Sequence, residues 1–153
     1  MAIENVFLEE TKSKLVERIN KLNPASQGLW GKMNVAQMLA HCNVTYEMVY
    51  EKGKHPKPNL IAKFFIKTFV KKLVVGESTY AKNSRTAPQF IIANEREFEA
   101  EKARLIAFIE KTQALGEKHF EGLESHSFGP LNAKEWNNMF YKHLDHHLQQ
   151  FGV

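Results

Sequence analysis

The chain has 153 residues, 43% of them hydrophobic and 25% charged, with a formal net charge of +4. That length suits one domain, residues 1–153, with a substantial buried core, and the composition excludes a disordered chain. The small basic excess does not point to nucleic acid, and a single cysteine, Cys42, excludes an internal disulfide or a thiolate metal cluster.

No apolar run reaches the roughly 18 residues that a membrane span requires. The opening stretch MAIENVFLEETKSK carries acids and no apolar core segment, so no signal peptide is expected. A cytoplasmic location is the default expectation.

Helical spacing recurs along the chain and period-two alternation is rare, so the expected class is all-α. The first helix is predicted over about 5–22, with Val6, Leu8, Leu15, Ile19 and Leu22 buried, and NPASQG breaks it with Pro24 and Gly28. A second helix starts at Asn34, where Gln37 three residues on completes a capping box. Its apolar stripe is Val35, Met38, Leu39, Cys42, Tyr46 and Val49, and it ends near 51–58.

Residues 59–75, NLIAKFFIKTFVKKLVV, form a smaller helix carrying Phe64, Phe65, Phe69 and Leu73. Seven lysines and no acid lie between Lys52 and Lys72. The lysines at 63, 67 and 71 follow one helical face and the aromatics another. This is the pattern of a solvated face on a core-packed helix, and neither membrane nor nucleic-acid binding is expected from it. Residues 76–90 read as loop.

A long helix follows from about Asn94 to Leu115 on Phe98, Leu105, Phe108 and Ile109, and GEKHFEGLESHSFGP reads again as loop. The last helix begins at Asn132, with Glu135 completing another capping box, and runs to Phe151. Four main helices result, with the small one inserted between the second and third. The connection over about 52–93 is too long for a hairpin, so a bundle with one long crossover is expected.

The last helix carries the chemistry. Trp136, Phe140, Leu144, Leu148 and Phe151 mark its buried face, and His143 and His147, about 40° apart at about 100° per residue, fall inside it. His146 sits at the margin and Asp145 points nearly opposite. Two imidazoles one turn apart can converge on one ion. The candidate third ligand is His41 in the second helix, on a line with Thr45 and Met48 that borders the core. Three neutral histidines leave a coordination position open, the pattern of a catalytic zinc site, where water or a substrate thiol is activated. The competing interpretation makes them core-edge histidines bonded to Gln37, Gln150 or backbone.

His126 in the loop before the last helix could line the site rim or simply pack the loop, while His55 and His119 are expected to face solvent. Trp30 and Trp136 are expected as anchors of the core or of helix starts. Cys42, rotated away from His41, should be a buried inert thiol. Asp145 and Glu47 point away from the histidines.

The stretches WGKMNVAQMLAHC (30–42), NSRTAP (83–88), HSFGPLNAKEW (126–136) and YKHLDHHLQQFG (141–152) occur in this order. Together they resemble an uncharacterised family within the DinB-like superfamily of metal-binding four-helix bundles, over about Trp30 to Gly152. The resemblance implies an up-down-down-up bundle. It also implies a divalent metal, often zinc or nickel, held by one histidine of the second helix and an H-x-x-x-H pair on the last, here His41, His143 and His147.

Relatives in that superfamily include thiol-dependent transferases and isomerases, with others suspected of hydrolysis. A metal-dependent enzyme acting on a small molecule, with a low-molecular-weight thiol as one candidate substrate, is therefore expected. The alternative is a non-catalytic binding or structural bundle whose basic segment contacts a partner. A homodimer through the aromatic inserted helix is a further expectation. No general acid or base can be assigned from the sequence.

Overall fold

A computed structural model describes residues 2–153 and is mostly helical, with two short strands. Helix α1 spans Glu9–Asn20, shorter than the expected 5–22. The expectation that Leu8 is buried is corrected: it flanks the helix start and is 55% exposed, while Val6, Leu15, Ile19 and Leu22 are buried. Glu9 and Glu10 place negative charge against the positive end of the helix dipole.

Helix α2 spans Val35–Tyr50, and both halves of the Asn34–Gln37 capping box are formed. The next helical run comprises α3 (Leu60–Phe65), a π-turn (Ile66–Val70) and α4 (Lys71–Val75). Its C-terminal carbonyls, orphaned by geometry, are satisfied from another helix. The buried Lys142 ammonium donates to the carbonyls of Leu73 (2.8 Å) and Gly76 (2.6 Å), and Asn138 donates to that of Val75 (2.8 Å).

Helix α5 spans Phe98–Phe120 and does not stop at Leu115 as expected. Gly116, at φ 73°, kinks the chain, and one more turn follows to bury Phe120 against Phe7, Trp136 and Phe140. The expected loop 116–130 is corrected further. Strands β1 (Leu123–Ser125) and β2 (Gly129–Leu131) pair antiparallel, with Leu123 opposite Leu131. The Ser125 hydroxyl closes their turn by donating to the Gly129 carbonyl and accepting from the Phe128 amide. Helix α6 spans Ala133–Gln150 behind a complete Asn132–Glu135 capping box.

Side-chain pairs give the helix directions. Asn43 meets Glu101 and Tyr50 meets Thr112, so α2 and α5 run the same way. His41 meets His147 and Tyr46 meets Phe140, so α6 runs against α2. Val6, just before α1, meets Asn137 and Arg18 meets Asp145, so α1 runs with α6.

Between these helices lie Leu15, Ile19, Met38, Leu39, Leu105, Leu144 and Leu148, all fully buried. Each stabilises the fold by about 1.5–3 kcal/mol relative to exposure. Tyr46 stacks on Phe108 at 5.7 Å and on Phe140 at 5.0 Å, joining α2, α5 and α6. Among the described residues no helix is long and apolar enough to cross a membrane.

Candidate metal centre

The antiparallel pairing of α2 and α6 brings His41 level with His143 and His147. One ligating nitrogen from each lies within 4.8 Å of the other two. His41 Nε2 is 3.0 Å from His143 Nε2, and the His41 and His147 rings meet edge-on at 4.5 Å between centroids. An ion bound at about 2.0–2.1 Å in tetrahedral geometry would space its donors by roughly 3.4 Å, so small ring rotations would suffice to bind one.

The other ring nitrogen of each imidazole is occupied. His41 Nδ1 donates to the Phe90 carbonyl at 2.8 Å, His147 Nδ1 lies 2.8 Å from Gln150 Oε1, and His143 Nδ1 lies 3.1 Å from the Thr45 hydroxyl. Gln150 is itself oriented, because its amide nitrogen donates to the Trp30 carbonyl at 2.7 Å. Its oxygen therefore faces His147 and fixes the proton on Nδ1. These hydrogen bonds direct the Nε2 lone pairs of His41 and His147 inward, while His143 donates from Nε2 to His41 Nε2 and accepts from the Thr45 hydroxyl at Nδ1. Binding an ion would therefore need the His143 proton to move to Nδ1, from which Thr45 can also accept. Partners of the competing core-edge interpretation, Gln150 and a backbone carbonyl, are thus present beside His147 and His41. Gln37 is not among them, being engaged in the cap and with the Asn94 carbonyl.

Electrostatics favour neutral rings. Burial, followed by repulsion from the other imidazoles, holds His143 well below 6.5. Burial and then His41 bring His147 down to about 3, and burial also lowers His41. Neutral imidazole is the form that binds metal. The trio opens onto a cavity of about 840 Å³, and among the described residues none of the side chains lining it is acidic.

His146 stays outside the cluster, half-buried, with its ring between Trp30 (5.8 Å) and Tyr80 (5.7 Å). His126 lies on the cavity wall, 2.9 Å from the Ser127 hydroxyl and 3.2 Å from the His55 carbonyl. His119 is exposed, on α5. His55 does not face solvent freely as expected: it lies 2.7 Å from the Glu47 carboxylate, because Glu47 is buried and also pairs with Arg104 and Lys54.

Trp136 is a core residue that also borders the cavity, and Trp30 lines the cavity at its surface and carries Lys82 4.3 Å above its ring. Cys42 is buried and its thiol is pushed far up by burial, so it is inert. Asp145 is buried too, held by Arg18 at 2.8 Å and away from the histidines. Sequence reasoning missed Phe90 as a partner of His41, since its backbone carbonyl leaves no signature in residue types.

A mostly helical protein with three histidines placed so that they could hold a metal ion is the class these features define. The chain belongs to the family described as Protein of unknown function (DUF1569), which matches residues 8–152 and so includes all three. No curated protein and no solved structure matches the chain.

Proposed function

We propose that this protein is a metal-dependent enzyme built as a single DinB-like domain, an up-down-down-up four-helix bundle, with His41, His143 and His147 holding a divalent ion. The carrying observation is the convergence of one ring nitrogen from each histidine within 4.8 Å on the wall of a large cavity, with the Nδ1 atoms of His41 and His147 held by Phe90 and Gln150. The parallel α2–α5 pair, each antiparallel to α6, supports the bundle topology.

Three imidazoles suit zinc, nickel or copper better than calcium or magnesium. Such an ion supplies Lewis acidity that makes a water or thiol nucleophilic near neutral pH. Phe90 and Gln150 hold the His41 and His147 rings in the tautomer that presents Nε2, and Thr45 can accept from His143 Nδ1 when an ion is bound. The largely apolar cavity wall limits water around a small-molecule substrate. Hydrolysis and thiol transfer are the two reaction types that fit.

The test compares zinc- or nickel-loaded protein, metal-free protein and His143→Ala on aryl esters and on consumption of low-molecular-weight thiols by electrophiles. Turnover by the loaded wild type alone supports the proposal. Equal rates in all three samples on every substrate would remove it.

A further inference from the structure

Residues 60–75 turn their aromatic side chains the opposite way from the sequence expectation. Phe64, Phe65 and Phe69 are 66%, 55% and 69% exposed, and Leu60 and Ile61 are exposed beside them. The rings touch in series, Phe64 with Phe65 at 6.0 Å and Phe65 with Phe69 at 6.1 Å, so they form one patch. Phe65 and Phe69, four residues apart, share a side by ordinary helical spacing, and Phe64 extends the patch beside Phe65.

Elsewhere on the run Ile66, Val70, Leu73 and Val74 line the cavity, with Val70 and Leu73 still 40% and 45% exposed. Lys142 and Asn138 tie down its C-terminal end, where Val75 is buried. The run is therefore anchored at its C-terminal end while its aromatic side faces out. A contiguous exposed patch of this kind marks an interaction surface.

Charge selects the partner. Of the seven lysines from Lys52 to Lys72, Lys54, Lys63 and Lys71 are paired with Glu47 and Glu51, Glu124 and Glu135 respectively. Lys52, Lys57, Lys67 and Lys72 are exposed and have no acidic partner among the described residues. Symmetric docking of a second copy would bring these unneutralised cations together, which costs energy. An anionic bilayer offers both an apolar layer for the rings and phosphates for the ammonium groups.

We propose that residues 60–75 dock on an anionic membrane surface, with Phe64, Phe65 and Phe69 in the headgroup–acyl boundary and the four free lysines at the phosphates. This inference is independent of the metal reading. Its consequence is that the cavity lies beside the bilayer, since one helical run serves both.

The experiment is co-sedimentation of the full chain with vesicles of phosphatidylcholine alone and of mixed phosphatidylcholine and phosphatidylglycerol. Binding to the mixed vesicles, weakened by salt, is expected. Phe64→Ser/Phe65→Ser/Phe69→Ser should weaken it on the order of tenfold or more. Lys52→Gln/Lys57→Gln/Lys67→Gln/Lys72→Gln should remove the preference for phosphatidylglycerol. Both variants change exposed side chains, so both should keep the wild-type melting temperature, and the lysine variant serves alone if the other unfolds. Absence of binding to either vesicle, or equal binding to both by wild type, would overturn the proposal. So would a wild-type dimer by light scattering that the phenylalanine variant converts to monomer.

Discussion

Gln150→Leu removes the group that orients His147 while leaving all three proposed ligands in place. The Gln150 side chain bridges His147 Nδ1 at 2.8 Å and the Trp30 carbonyl at 2.7 Å, and the residue is 3% exposed. With leucine, His147 loses the acceptor that keeps its proton on Nδ1, and Nε2 is no longer held as the lone-pair nitrogen. Removal of such outer partners weakens metal binding by about 10–100-fold, or roughly 1.4–2.7 kcal/mol. The Trp30 carbonyl is also left without its donor, which lowers stability by about 1–3 kcal/mol.

Gly31→Ala should act in the same direction. Gly31 has φ +82°, and a Cβ there would stand 2.4 Å from the Gln150 amide nitrogen, so Gln150 must shift. Competition titration of zinc against a chromogenic chelator measures the loss. Wild-type affinity in Gln150→Leu, while His147→Ala loses binding, would refute the orienting role.

His146→Ala should retain metal, because that ring packs between Trp30 and Tyr80 outside the convergent group; metal content and thermal melting beside His147→Ala would check it. For pH, burial and mutual repulsion hold His147 at about 3 against an ordinary 6.5, with His41 and His143 also lowered. The unfolded chain therefore takes up protons first. Stability of the metal-free protein should be highest above about pH 6.5 and fall progressively toward pH 3. Denaturant titrations across that range test it, and stability that rises on acidification would contradict it.

Glu47→Gln should destabilise the fold by roughly 1–3 kcal/mol, a lower figure than for a fully buried pair because Arg104 and Lys54 are partly solvated. Burial pushes the Glu47 carboxyl up, but hydrogen bonds from Lys54, Arg104 and His55 outweigh it and hold the group at about 2. Its contribution should therefore be present above about pH 4.5 and lost as pH falls toward 2, with melting temperatures of the two proteins converging there.

The features legible in the sequence were those set by local geometry. Asn34 with Gln37 and Asn132 with Glu135 announce helix starts because a capping box closes within four residues. His143 and His147 share a face with Leu144 and Leu148 through helical spacing alone, and His41 follows from its line with Thr45 and Met48, all three of which border the cavity.

What failed depended on tertiary context. Gly116 reads as a stop, yet burial of Phe120 carries α5 past it. Strands of three residues around Gly129 and Pro130 are too short to show a period. The wheel over 60–75 separates lysines from aromatics but cannot tell which side the protein covers. The tie of its C-terminal end to Asn138 and Lys142 decides that.

The central claim is that three histidines hold one ion. Elemental analysis of untagged protein, loaded with zinc or nickel and passed through gel filtration, tests it most directly. The expected result is a single ion per chain for wild type and almost none for His143→Ala, with both proteins folded. Wild type that retains no ion, or a His143→Ala protein that retains as much as wild type, would contradict it.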